Sequence, residues 1–156
     1  MDFNRQISKR LHEEHIATLE LWSRVEQTIG TRDAALEALL GRCAAALADE
    51  VARHFAFEES ELFPRLAEAG EGDIAELLAE EHAVIRGAAA QFDASCRALR
   101  AGSLDAQGWQ RLRVTALELA ERLVSHVQKE EMSLLPALED LLDEATDAEL
   151  ALAYAG

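Results

Sequence analysis

Proline is nearly absent from this chain: Pro64 and Pro136 are the two in 156 residues. Because proline breaks the hydrogen-bond ladder of a helix interior, most of the chain is open to long helices. Aromatic residues make up 5% and β-branched residues are few, so the usual material of strands is missing. No apolar run reaches 18 residues, which excludes a transmembrane helix. Residues 1–10 lack the apolar core of a secretory signal, and the expectation is a soluble, cytoplasmic protein. Basic residues are scarce, 15 against 30 acidic, for a net charge of −15. That balance excludes a nucleic-acid partner, which needs a basic patch, and disfavours a membrane surface. Cysteine is limited to Cys43 and Cys96, far apart and without Cys-x-x-Cys spacing. They read as two buried thiols in a reducing compartment.

What is abundant is Ala, Leu and Glu, all strong helix formers. The length suits one domain over residues 1–156 with a real core. Apolar residues recur at steps of three and four in four long stretches. The first, about residues 3–29, carries Ile7, Leu11, His15, Thr18, Trp22, Val25 and Ile29 on one stripe. The second, about 31–69, carries Leu36, Leu40, Cys43, Leu47, Val51, His54, Glu58 and Leu62. The third, about 74–100, carries Leu78, His82, Ile85, Phe92, Cys96 and Leu99. The fourth, about 104–142, carries Leu112, Ala116, Leu119, Leu123, His126, Glu130 and Leu134. Gly30, Gly70 and Gly102 mark the turns. Asp73 with Glu76 and Thr146 with Glu149 read as capping boxes, the second starting a short final helix with Leu150, Leu152 and Tyr154. Pro64 and Pro136 are expected to kink or end their helices. The fold class is all-α: an up-down-up-down four-helix bundle with a short C-terminal helix.

One stretch occurs twice. His54-Phe-Ala-Phe-Glu58-Glu59-Ser-Glu-Leu62-Phe63-Pro64 is echoed by His126-Val-Gln-Lys-Glu130-Glu131-Met-Ser-Leu134-Leu135-Pro136. Residues four apart share a helix face, so His54 pairs with Glu58 and His126 with Glu130. Imidazole and carboxylate on one face make a metal handle, and two handles could grip a pair of ions. In antiparallel helices, residues equidistant from a turn lie level. The midpoint of Glu58 and His82 is Gly70, that of His82 and His126 falls beside Gly102-Ser103, and that of His15 and His54 lies a few residues past Gly30. All six polar residues can therefore share one layer. A carboxylate buried without a partner costs several kcal/mol, and no Lys or Arg lies on the stripes at that level. A bound metal pair removes that cost; a hydrogen-bonded His/Glu network is the metal-free alternative.

With these residues in view, the chain resembles the hemerythrin-like family, the HHE cation-binding domain, over nearly its whole length. The signature is one His on the first helix, His-x-x-x-Glu on the second, one His on the third and His-x-x-x-Glu on the fourth. Here those positions are His15, His54 with Glu58, His82, and His126 with Glu130. The resemblance implies a non-haem di-iron centre, with Glu58 and Glu130 bridging two irons and two histidines on each. An oxo or hydroxo bridge would complete the pair, and zinc or manganese would also suit such ligands. An open position on such a centre accepts a small diatomic, O2 or NO, or a peroxide. The chain departs from the oxygen-carrying members at Arg86, where they have a further His. It departs again at Glu130 and Glu131, where they have Asp one residue after the Glu130 position. Glu130 matches Glu58 in the repeat and is the preferred ligand, with Glu131 as its rival. The pattern is closer to the iron-repair, iron-sensing and redox-active branch. Reversible oxygen binding, peroxide or NO turnover, and a metal-stabilised interaction or sensor module without turnover are the functions to separate.

Around these six stand residues of open role. His12, one turn before His15, is a further imidazole or a surface side chain. Glu14, Glu59, Glu81 and Glu131 read mostly as solvated helix-face charges, with one orienting an imidazole. Trp22, Phe55, Phe57 and Phe92 read as packing residues. Tyr154 reaches the site only if the last helix folds over the others.

Overall fold

A computed structural model describes residues 2–156. Every regular element among them is helical. Helix α1 spans Gln6–Thr28 and buries the expected stripe of Ile7, Leu11, His15, Thr18, Trp22 and Val25. Helix α2, Ala34–Asp49, begins at Asp33, whose carboxylate accepts from the Leu36 amide at 2.8 Å, as an N-cap should. The chain stays helical beyond it through two π turns, Glu50–Phe55 and Glu58–Leu62, into α3, Phe63–Glu68. Helix α4 is Gly72–Arg100. Helix α5, Ala106–Lys129, is capped by Asp105 on the Gly108 amide and continues through a π turn, Glu130–Leu134, into α6, Leu135–Leu141. Helix α7, Glu144–Ala155, follows.

The prolines do not end their helices. In both copies of the repeat a π turn precedes the proline, closed by a five-residue bond: Phe63 N–H to Glu58 O, and Leu135 N–H to Glu130 O. Proline then stands in the first turn of the next α segment, where its missing donor is not needed. Each of these two wide turns begins at one of the repeated glutamates; π turns are frequent at functional sites.

Two of the expected capping boxes do not form. Gly70 adopts φ 90° and lets the Glu71 amide reach back to Leu66 O at 2.8 Å, a left-handed helix stop. The chain is then helical from Gly72, so Asp73 lies inside the first turn instead of capping it. At the last helix Asp143 is the cap, accepting from Thr146 N–H at 2.7 Å, and Thr146 supplies the donor.

The apolar core is split in two. One cluster gathers Trp22, Leu40, Leu47, Phe92, Leu112 and Leu119 among others; the second gathers Ile7, Leu11, Leu62, Leu78, Leu134, Leu150 and Tyr154. The polar stripe residues fall between them: on α1, His15 lies between Leu11 and Trp22, and around the fourth stretch His126 and Glu130 lie between Leu123 and Leu134. Helix α4 packs on α5 and α3, and α1 packs on α5, α2 and α7. No helix among the described residues is long and apolar enough to cross a membrane.

Candidate metal centre

Four imidazoles and two carboxylates converge in the layer between the two apolar clusters. His15, His54, Glu58, His82, His126 and Glu130 are all buried, none more than 2% exposed. Their ligand atoms form two overlapping groups, His15, His54, Glu58 and Glu130, then Glu58, His82, His126 and Glu130. Both carboxylates belong to both groups. Glu130 turns Oε1 to His15 Nε2 at 2.8 Å and Oε2 to His126 Nε2 at 3.0 Å. Glu58 turns Oε2 to His54 Nε2 at 3.1 Å and Oε1 to His82 Nε2 at 3.2 Å. His82 and His126 bring their Nε2 atoms within 3.0 Å of each other.

Two buried oxygens in this layer, Glu58 Oε1 and Glu130 Oε2, have no hydrogen bond although imidazole nitrogens lie against them. Unpartnered buried carboxylate oxygens are costly. A cation among them would satisfy both oxygens and the facing nitrogens together, and nitrogen with oxygen donors suits a borderline divalent metal. The residues present therefore fit a metal cofactor.

The other nitrogen of every imidazole is held from outside. His54 Nδ1 bonds Glu14 at 3.1 Å, His82 Nδ1 bonds Glu59 at 2.7 Å, His126 Nδ1 bonds Glu81 at 2.8 Å, and His15 Nδ1 bonds Glu131 at 2.7 Å. The pattern is a closed ring. Helix α1 supports the histidine in the π turn after α2, the π turn before α3 supports α4, α4 supports α5, and the π turn after α5 supports α1. A carboxylate on Nδ1 fixes the proton there and turns the Nε2 lone pair inward. The four glutamates are therefore bonded in the structure, not the mostly solvated charges their sequence context suggests. Each is backed in turn: Glu14 by Arg53, Glu59 by the fork of Arg86 at 2.7 and 3.1 Å, Glu81 by Lys129, and Glu131 by His12 at 2.5 Å. Arg86 thus serves Glu59 instead of facing the layer. His12 and Glu131 stand outside the inner groups. Tyr154 does reach the region, since α7 packs on α1 and its phenol donates to Glu14 at 2.6 Å. Phe55 is more than packing: it stacks on His82 with ring centroids 3.8 Å apart and planes 2° from parallel.

Electrostatics follow from this arrangement. Burial opposes charge on His15, but Glu130 and Glu131 outweigh it and hold its pKa up to about 9. Burial likewise opposes charge on His82, and Glu130 and Glu58 carry it up to about 9. His54 and His126 are raised against burial by their neighbouring carboxylates. Burial would raise Glu130, yet His126, His15 and His54 hold it well below the usual carboxylate range. Glu14, Glu59, Glu81 and Glu131 are lowered despite burial by the side chains that bond them. Without metal the layer therefore keeps protons where a cation would sit.

The signal for the outer ring was present in the chain as doublets. Glu14 and Glu81 each precede a stripe histidine, and Glu59 and Glu131 each follow a stripe glutamate. The doublets do not say which partner each reaches, because every one bonds a different helix.

Compared with known proteins, residues 6–138 match the family model of the hemerythrin HHE cation binding domain. All six inner residues and the four outer glutamates lie within that span. No curated protein matches the chain.

Proposed function

The chain belongs to the hemerythrin HHE cation-binding family, and on that premise we propose that it holds a non-haem di-iron centre that binds or reacts with O2, NO or peroxide, or that senses or handles iron. His15 and His54 would hold one ion, His82 and His126 the other, with Glu58 and Glu130 between them. The observation that carries the reading is the split of each inner carboxylate, one oxygen toward each histidine pair. Iron bound there would supply an open coordination position for a small ligand. The chain's own part is to orient four Nε2 lone pairs through the outer glutamates and to keep bulk water out with the two apolar clusters. The proposal includes the architecture, four rods running up-down-up-down with α7 laid against α1, and a cytoplasmic setting, where two free buried thiols stay reduced.

The test is elemental analysis of anaerobically purified protein, with ultraviolet–visible spectra before and after air. About two irons per chain and a spectrum that changes with air support the reading. Titration with NO and with hydrogen peroxide then separates binding from turnover. Protein that takes up no iron, or holds zinc that iron cannot replace, would end the di-iron reading. A metal-stabilised interaction module would then remain, marked by a large loss of stability on chelation without turnover.

A further inference from the structure

We propose that Tyr154 is a positioning residue for His54, so that α7 governs one half of the metal pair; the proposal rests on the two-ion reading above. Tyr154 is the single tyrosine of the chain. It lies on α7, beyond the residues that match the family. It is nonetheless 5% exposed. Its hydroxyl donates to Glu14 Oε1 at 2.6 Å, the same oxygen that accepts from His54 Nδ1 at 3.1 Å. The phenol ring stands perpendicular to the His54 ring, with centroids 6.3 Å apart. The Arg53 guanidinium lies 4.7 Å from the phenol centroid and forks onto both oxygens of Glu14 at 3.2 and 3.0 Å.

The other three outer carboxylates are backed by Arg86, Lys129 and His12. Among the four, Glu14 is the one tied to α7. Exposed Arg10 bonds its other oxygen, Oε2, at 3.2 Å, which leaves Oε1 to be set by Tyr154 and Arg53. The hydroxyl of Tyr154 holds Oε1 where it can fix the Nδ1 proton of His54. The same helix sets the start of α1, where no local side chain caps the helix. Asp147 accepts from the amides of Gln6 and Ile7 at 2.8 and 3.0 Å. The half of the layer built on α1 and the rod after it is therefore tied to α7 twice. The His82 half rests on Phe55 and on Glu59 with Arg86.

The test compares Tyr154→Phe with the wild-type protein. The variant keeps the ring, its contact with Phe57 and its place under Arg53, and removes only the hydroxyl. Two readouts are taken: histidine-ring 1H–15N spectra of metal-free and zinc-loaded protein, and chelator-driven release of bound zinc. The expected result is a shift of the His54 ring N–H with the other ligand rings unmoved. One zinc should leave roughly 10- to 100-fold faster, the scale for losing a partner behind a metal ligand, with little change in the thermal midpoint. Glu14→Gln, which cuts the same relay without touching α7, should reproduce the His54 shift. Glu81→Gln, which acts on His126, should speed the other zinc. An unmoved His54 signal and unchanged release in Tyr154→Phe overturn the proposal. Equal acceleration of both ions with a fallen midpoint also overturns it, leaving α7 as a structural strap. Fewer than two zinc ions on the wild-type protein would count against the two-ion reading instead, and the His54 signal would still decide whether Tyr154 positions that ring.

Discussion

His15 is held at both ring nitrogens by consecutive residues of the π turn that follows α5: Glu130 reaches Nε2 at 2.8 Å and Glu131 reaches Nδ1 at 2.7 Å. Neighbours in sequence thus take opposite sides of one imidazole, Glu130 in the buried layer and Glu131 outside it. If two ions share the layer as proposed, Glu130→Gln should remove a charge common to both groups and abolish binding of at least one ion. Glu131→Gln should leave both ions bound but weaken metal affinity by about 10- to 100-fold. Metal stoichiometry and competition titrations distinguish the two. The roles would be reversed if Glu131→Gln lost an ion and Glu130→Gln did not.

The metal-free protein should lose stability as pH rises. His15 and His82 are raised from the ordinary 6.5 to about 9 in the folded state. A raised imidazole stabilises the fold fully below the unfolded value and ceases to do so as pH passes the folded value. Urea unfolding of chelated protein should therefore show stability falling between about pH 6.5 and 9. In metal-loaded protein the ion replaces those protons, so binding should release protons and strengthen with pH in the same window. A flat profile for the chelated protein would count against the carboxylate-held imidazoles.

The two thiols should be inert until the protein unfolds. Burial pushes Cys43 up to about 12 and Cys96 up to about 11, and the thiolate is the reactive form. Alkylation at pH 8 should be slow in the native state and fast in urea. Because the folded thiols keep their protons, unfolding is favoured once pH exceeds the ordinary value of 9.0. Rapid modification of the native protein would show that these positions open.

Removing the cap that α7 supplies to α1 should destabilise the whole chain. Asp147 is 4% exposed and satisfies two amides of the α1 N-terminus. Asp147→Ala should cost about 1–2 kcal/mol, as for loss of a strong helix cap, measured by urea unfolding at fixed metal occupancy. Asp147→Asn should recover part of it, since its carbonyl can still accept.

Periodicity is a local property, so the helices could be read from residues alone. The stripe on α1 and the repeat around His54 and His126 mark the polar layer, because a residue every three or four positions lies on one helix face. Boundaries were less legible. Asp73 and Thr146 look like caps, yet whether a residue caps depends on where the preceding turn delivers the chain, as Gly70 does for α4. The prolines do not end the helical run, since a shift to five-residue bonding at Glu58 and Glu130 absorbs them.

Residue order alone specifies an all-helical chain with four histidines and two glutamates on inward stripes, because burial face and helical period are both local. What surrounds them follows from how the helices pack together. The ring in which Glu14, Glu59, Glu81 and Glu131 each hold a histidine of another helix depends on which helices are neighbours. So does the reach of Tyr154 from α7 to Glu14. Those contacts span 23 to 140 positions of chain, and no local pattern encodes the partner of a side chain that leaves its own helix.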